Sequence, residues 1–172
     1  MLLSYSMKGF RSVDNEVVVD LKSTNYKILS KTNVSQTGIL KGALFVGKNG
    51  AGKSTMLSSV KLLLDLLFSK EELNLLSYFC LTSKKDKKIE LNYTFFVRRS
   101  TVSYNITIEY GKTLLINENL YINKELIIDR KGSSGVFENG AAPIHATEIE
   151  PTRLFLRDLI DANYINVNKI LF

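Results

Sequence analysis

The feature that most constrains this chain is a glycine-rich stretch, GKNGAGKST, from Gly47 to Thr55. A short apolar run, Lys41 to Val46, precedes it, and apolar residues recur at helical spacing from Lys53 to about Phe68. A turn that serves packing alone needs one or two glycines and has no use for a lysine and a hydroxyl at the start of the helix. The pattern therefore predicts a buried strand, a phosphate-binding loop and a helix over 41–68.

Each residue type in this stretch suits the binding of phosphate. Glycines let the backbone curl so that successive N–H groups point inward, at the positive end of the following helix. Lys53 would reach the β- and γ-phosphates, and Ser54 would offer its hydroxyl to Mg²⁺. The hydroxyls of Ser54 and Thr55 should also cap the helix. We expect the whole stretch to bind a nucleoside triphosphate: Gly47, Lys48, Asn49, Gly50, Ala51, Gly52, Lys53, Ser54 and Thr55.

The rest of the chain has mainly strand-like patterns. Polar and apolar residues alternate from Ile89 to Tyr110 on both sides of Arg98-Arg99, which predicts a β-hairpin. Further segments are predicted as follows: an opening hairpin of Leu2–Gly9 and Val13–Leu21, a loop over Lys22–Gly38, a second helix or helical turn over Glu71–Leu81, strands over Thr113–Ile122 and Glu125–Arg130, a loop over Lys131–Pro151, and a helix from Thr152 to about Asn163. An antiparallel sheet over 88–130 should thus follow the first helix.

Length and composition exclude several classes of protein. At 172 residues and 45% hydrophobic content, the chain suits a single domain, which together with the glycine-rich loop predicts one nucleotide-binding lobe, 1–172. No apolar run approaches the roughly 20 residues needed to cross a bilayer, and Met1–Phe10 lacks the pattern of a secretion signal. We therefore expect a cytoplasmic protein without a membrane partner. Cys80 is the only cysteine, which excludes an internal disulfide and predicts a buried apolar role.

The net charge of +6 favours phosphate-bearing partners without identifying one. The densest basic stretch, Lys84-Lys85-Asp86-Lys87-Lys88, lies between a helix-like and a strand-like segment. A solvated turn is the simpler interpretation, and a contact with nucleic acid is the alternative.

The wording of Gly47–Thr55 resembles the Walker A motif of ABC-type ATPases more than that of small kinases or G proteins. Its placement agrees, because some 46 residues and two predicted strands precede it. Gly9-Phe10-Arg11-Ser12 is similar to a step in the heads of SMC, RecF and related DNA-repair ATPases. The hairpins of 89–130 and the helix around Leu154-Phe155-Leu156 resemble stand-alone bacterial AAA family ATPases, including the OLD group and the ATPase subunits of anti-phage systems.

This resemblance implies an α/β (α+β) fold of the P-loop NTPase type, an ABC-ATPase-like N-terminal lobe with antiparallel hairpins after the loop helix. It implies ATP with Mg²⁺ as ligand, and no Asn-Lys-x-Asp guanine motif argues otherwise. Arg11 would lie near the phosphates or ribose, with a surface or sheet-edge position as the alternative, and Ser12 would lie beside the nucleotide. Expected partners are a second ATPase subunit in an ATP-dependent dimer and an effector or nuclease, in DNA repair or anti-phage defence. Nucleic acid is a further candidate partner.

The catalytic elements of such ATPases have no clear match here. The only glutamine, Gln36, lies upstream of the loop, and the only histidine, His145, falls in a predicted loop and should have a surface or packing role. Two segments weakly resemble a Walker B strand, Leu62–Asp65 on the loop helix and Leu126–Asp129 on a hairpin strand. Ser133–Gly135 weakly resembles a signature loop. We therefore expect the N-terminal lobe of a longer ATPase, which binds nucleotide more readily than it hydrolyses it.

Two alternatives stay open. The chain could be a non-catalytic module that uses ATP as a structural ligand or dimerisation switch. It could also be a transporter nucleotide-binding subunit, in which Tyr26 would stack on the adenine; the missing glutamine argues against this.

Overall fold

A computed structural model describes residues 1–24, 30–81, 87–111, 113–138, 140 and 142–165. Its strands are β1 (Leu2–Lys8), β2 (Val17–Asp20), β3 (Lys88–Val97), β4 (Ser100–Tyr110), β5 (Leu114–Ile122), β6 (Glu125–Lys131), β7 (Ser134–Phe137) and β8 (Ile144–Ala146). Its helices are α1 (Ser30–Asn33), α2 (Lys53–Phe68) and α3 (Phe155–Asp161), with a 3₁₀ helix at Leu75–Tyr78. The strands form one sheet in the order β2-β1-β3-β4-β5-β6-β7-β8, and neighbours are antiparallel.

The alternation of polar and apolar residues places one face of this sheet in the core. Ile89, Leu91 and Tyr93 of β3 are fully buried, as are Tyr104 and Ile108 of β4. The hairpin predicted from Ile89 to Tyr110 is confirmed, with a two-residue turn between Val97 and Ser100. β5 and β6 likewise form the two strands expected over 113–130.

Helix α2 covers the buried face of the sheet. Its buried leucines recur three and four residues apart: Leu62, Leu63, Leu66 and Leu67. The helical spacing is confirmed, but the predicted apolar face is rotated, because Leu57 and Leu64 of that face are exposed. The hydroxyl of Tyr93 on β3 donates a hydrogen bond of 2.6 Å to the carbonyl of Ser59, which joins the sheet to the middle of the helix. Burial raises the pKa of Tyr93, so this donor keeps its proton.

The predicted α/β fold of the P-loop NTPase type is wrong. The described chain is β-rich, with an eight-stranded antiparallel sheet and three short helices, and its sheet contains no parallel pair. The predicted buried strand over 41–46 is not a strand; Leu44 is 86% and Val46 80% exposed. The reason is the lack of a neighbouring strand within the described ranges, since the backbone groups of 43–46 have no hydrogen-bond partner there. The side chain of Asn33 holds this segment at Gly42 instead.

Other boundaries also differ from the predictions. The loop expected over Lys131–Pro151 contains β7 and β8, which extend the sheet beyond β6. Glu71–Leu81 holds the 3₁₀ helix, which is the helical turn allowed by the prediction, but the last helix begins at Phe155 instead of Thr152. In the loop predicted over Lys22–Gly38, α1 occupies Ser30–Asn33. Tyr26 and Lys84–Asp86 lie outside the described residues.

The structure also bears on the expectations about membrane-spanning segments and about the burial of Cys80. Among the described helices, none is both long enough and apolar enough to cross a bilayer. Cys80 is buried, as expected.

Candidate phosphate-binding site

The glycine-rich stretch forms an exposed loop that leads directly into α2. Gly50 and Gly52 have φ angles of 81° and 84°, in the left-handed region that side chains beyond glycine rarely adopt. A Cβ on Gly50 would meet no atom within 4 Å, so these glycines are needed for the curl of the backbone and not for close packing. Gly52 is the residue that caps α2.

The curled loop leaves a group of backbone donors without partners. Across the described chain, the N–H groups of Gly50, Gly52, Lys53, Ser54 and Thr55 make no hydrogen bond. The last three belong to the first turn of α2, whose N–H groups have no acceptor within the helix and lie at its positive end. Five unpaired donors within six residues are an arrangement that suits an anion.

The ammonium of Lys53 lies at the start of the same loop. Its Nζ donates hydrogen bonds of 2.8 Å to the carbonyl oxygens of Gly47 and Lys48, at the start of the loop. No carboxylate accepts from it within the described ranges. The ammonium is therefore held at the loop by neutral acceptors only, and an anionic oxygen would be a stronger acceptor than either carbonyl.

The two hydroxyls that follow Lys53 have different surroundings. Thr55 is buried, and its Oγ1 lies 3.2 Å from Oγ of Ser12, a hydrogen-bonding distance. The Ser54 hydroxyl is exposed and has no partner in the described structure. The prediction that these hydroxyls cap the helix is wrong, because neither makes a capping hydrogen bond. Ser54 alone is available to a ligand or metal ion.

The turn after β1 supplies the opposite side of the site. Gly9 has a φ of 67°, and a Cβ there would lie 1.9 Å from the carbonyl oxygen of Lys88, so only glycine allows the chain to turn at this point. This turn brings Ser12 to the start of α2. Together they line an open cleft of about 560 Å³, formed by Ser12, Asn49, Gly50, Ala51, Gly52, Lys53, Ser54 and Thr55.

Arg11 lies apart from the cleft lining. Its guanidinium lies 5.0 Å from the ring centre of Tyr78 and 6.0 Å from that of Phe10. Its backbone N–H donates to the carbonyl of Tyr78 at 2.7 Å. The side chain of Arg11 is exposed. In this structure Arg11 therefore has a surface position, which is the alternative to a position near the phosphates or ribose. Gly47 and Lys48 also lie outside the lining and meet the site through their carbonyls.

The described cleft lining contains no carboxylate. Asp65 is on α2 and pairs with Lys61. Asp129 is on β6, where it accepts a hydrogen bond of 2.9 Å from Asn119, as expected for a hairpin strand. His145 is exposed on β8, so its predicted position in a loop is wrong. Within the described ranges, no cluster of three or more His, Cys, Asp or Glu side chains could hold a metal ion.

Sequence reasoning missed the second polar cluster of the molecule, a buried ion pair between Glu118 on β5 and Arg130 on β6. The closest approach is 2.7 Å, and both side chains are fully buried. Glu118 also accepts hydrogen bonds from the hydroxyl of Tyr104 at 2.7 Å and from the backbone N–H groups of Phe155 and Leu156 at 2.6 and 3.3 Å. The cluster thus holds the first turn of α3 against the sheet.

Arg130 completes this cluster through backbone carbonyls. It donates to Gly132 at 2.7 Å, to Glu150 at 2.9 Å and to Arg153. Burial and the neighbouring Glu118 raise the pKa of Tyr104 well above its usual value, so the hydroxyl stays protonated. The sequence carried a signal for this pair, because opposite charges occupy inward positions of two neighbouring strands, between Ile116 and Leu120 and after Ile128.

No protein-family model matches the chain, and no curated protein matches it either.

Proposed function

We propose that this chain binds ATP together with Mg²⁺ at the loop Gly47–Thr55. The observation that carries the proposal is the combination of Lys53 with the unpaired backbone N–H groups that precede and follow it. Donors with no partner inside the chain and a cation without a carboxylate suit a ligand that has several anionic oxygens close together. The phosphates of a nucleotide are such a ligand.

The residues of the cleft fit this ligand with its metal ion. The N–H groups of Gly50, Gly52, Lys53, Ser54 and Thr55 would hold phosphate oxygens, and the ammonium of Lys53 would exchange its carbonyl acceptors for the β- and γ-phosphates. Mg²⁺ prefers phosphate oxygens, water and few protein ligands, so the free hydroxyl of Ser54 is a sufficient protein ligand. Bound Mg²⁺ would supply neutralisation of phosphate charge. Ser12 would border the ligand from the turn after β1.

The choice of ATP and the wider role rest on the resemblance of the loop to that of ABC-type ATPases. It supports a role in DNA repair or anti-phage defence, with a second ATPase subunit and an effector or nuclease as partners. The alternative, a non-catalytic module that binds nucleotide as a structural ligand or switch, is favoured by one observation. No described residue of the cleft carries a carboxylate that could orient an attacking water.

Calorimetric titration with ATP and Mg²⁺ tests the proposal on three proteins. We expect the unchanged chain to bind and Lys53→Ala to lose at least about a hundredfold in affinity, because a charge-assisted contact to phosphate disappears. Lys61→Ala is the matched control, since it removes the same charge from an exposed position about 12 Å further along α2. Equal affinities of the two variants would contradict the proposal.

A further inference from the structure

Two tight turns at one end of the sheet carry a cluster of cations. Arg98 and Arg99 form the turn between β3 and β4, and Asn123 and Lys124 form the turn between β5 and β6. All four residues are exposed. We call these four residues the hairpin tips. The tips lie at the end of the sheet where β1 begins, because the N-terminal ammonium of Met1 donates to the carbonyl of Phe96 at 2.8 Å.

The two tips are fixed to each other. The backbone N–H of Asn123 donates to the carbonyl of Thr101 at 2.8 Å, and the N–H of Thr101 donates to the side-chain oxygen of Asn123 at 3.0 Å. A further bond of 3.2 Å joins the amide nitrogen of Asn123 to Oγ of Ser100. The turns are separated by about two strand spacings, or roughly 10 Å. The three cations of the tips therefore extend in a row from turns whose backbones are fixed to each other.

The backbone of the tips is unusual for three of these residues, Arg98, Arg99 and Lys124. The φ angles are 47° and 72° for Arg98 and Arg99, and 50° and 74° for Asn123 and Lys124. A two-residue turn with positive φ at both positions is formed best by Asn-Gly, because a side chain strains the left-handed conformation. The tips keep arginine and lysine at positions that favour glycine. Strain of this kind points to a use for the side chains.

At the opposite end of the sheet, lysine side chains form ion pairs with carboxylates. There, Lys8 lies 3.9 Å from Glu90, and Lys88 lies 3.3 Å from Glu90 and 3.5 Å from Glu109. Across the described ranges, Arg98, Arg99 and Lys124 form no ion pair. Glu125 is the carboxylate that adjoins the tips in sequence, so the three cations and this one anion leave a net positive charge.

We propose that the hairpin tips are a nucleic-acid contact, in which Arg98, Arg99 and Lys124 bind consecutive backbone phosphates. A row of cations without a pocket suits an extended polyanion better than a single phosphate group, and duplex DNA carries about one charge per 1.7 Å of its axis. The tip residues include no apolar side chain that could enter a lipid surface. This contact does not depend on the nucleotide cleft, which lies at the other end of β1, roughly 20 Å away.

The test uses fluorescence anisotropy of a short labelled DNA duplex and of its single strand, without ATP, at several salt concentrations. Arg98→Asn, Arg99→Gly and Lys124→Gly are combined in one variant, which turns both tips into Asn-Gly and so keeps the turns while removing three charges. The control variant combines Lys8→Gln, Lys61→Gln and Lys131→Gln, which remove the same charge from lysines that are paired with carboxylates.

We expect the tip variant to bind at least about tenfold more weakly than the unchanged chain, and its slope of log K against log salt to fall by about 2 to 3. The control variant should stay within about threefold. Urea unfolding of the tip variant should show stability at least equal to that of the unchanged chain, which separates lost contacts from misfolding. Equal losses in the two variants, no loss in the tip variant, or binding of the unchanged chain to anionic vesicles but not to DNA would overturn the proposal.

Discussion

The cluster around Glu118 and the loop before Lys53 both collect polar groups, but they differ in how many find partners within the chain. The carboxylate of Glu118 accepts four hydrogen bonds, and Arg130 donates to three backbone carbonyls besides. Around Lys53, five backbone N–H groups and the hydroxyl of Ser54 have no partner among the described residues. The first cluster is buried and the second lies open in a cleft.

This difference separates a polar cluster that serves the fold from one that suits the proposed ligand. A buried charge without partners costs several kcal/mol, so the groups around Glu118 must satisfy one another for the chain to fold. Donors at the surface are solvated by water, and their free state costs the fold little. Because they are held in place by the loop and by α2, they are already arranged for an anion.

The largest effect should follow a change in the buried cluster. Glu118→Gln removes the charge that balances Arg130 and leaves the guanidinium buried, so we expect a loss of about 3 to 5 kcal/mol in the free energy of unfolding. Asp129→Asn is the control, because that carboxylate is partly exposed on the same strand pair and should change stability by less than about 1 kcal/mol. Urea unfolding measures both. Equal, small losses would mean that the buried pair does not hold α3 to the sheet.

A smaller effect should separate the two hydroxyls of the loop. Ser54→Ala should weaken the Mg²⁺-dependent part of ATP binding by about tenfold, or about 1.4 kcal/mol, and leave binding in EDTA unchanged. Thr55→Ser keeps the hydroxyl that meets Ser12 and should affect neither condition. Calorimetric titration with and without EDTA decides this. Should Ser54→Ala weaken binding equally in both, its hydroxyl would not be a metal ligand.

The smallest expected effect is in the rate of ATP hydrolysis by the chain. The described cleft contains no carboxylate, and a group that orients the attacking water typically contributes about 10² to 10⁴ in rate. We therefore expect the 172-residue chain to bind ATP with negligible steady-state release of phosphate. Release would be followed for the chain and for Lys53→Ala. Steady turnover that Lys53→Ala abolishes would require a catalytic carboxylate, with Asp65 or Asp129 as the first candidates.

Much of the antiparallel sheet could be predicted because its signal is local. Alternating residues on both sides of Arg98-Arg99 define a hairpin, whatever else the chain does. β7 and β8 were missed because they are short and lie in a stretch rich in glycine and proline, where pairing depends on β6. The segment 41–46 shows the opposite error. Its apolar residues indicate burial, but a strand needs a neighbour, and the described chain provides none.

The candidate site also has parts that the sequence predicts and parts that depend on the tertiary structure. The curl of the loop and its place before α2 could be predicted from the spacing of Gly47, Gly52 and Lys53, and its binding of phosphate stays a prediction. The unequal roles of Ser54 and Thr55 could not, since they depend on the turn at Gly9 that brings Ser12 to α2. The buried cluster was missed for a related reason. Its partners lie 12 to 38 residues from Glu118, and they meet only because β5 pairs with β6 and α3 packs on the sheet.

The central claim is that the unpaired N–H groups of the loop receive the phosphates of ATP. NMR spectra of the ¹⁵N-labelled chain during titration with ATP and Mg²⁺ test it directly, since each amide reports its own environment. We predict saturable shifts that are largest for the amides of Gly50, Gly52, Lys53, Ser54 and Thr55, with a smaller shift at Ser12. Unshifted loop amides at saturating ATP, or larger shifts at another surface, would contradict the claim.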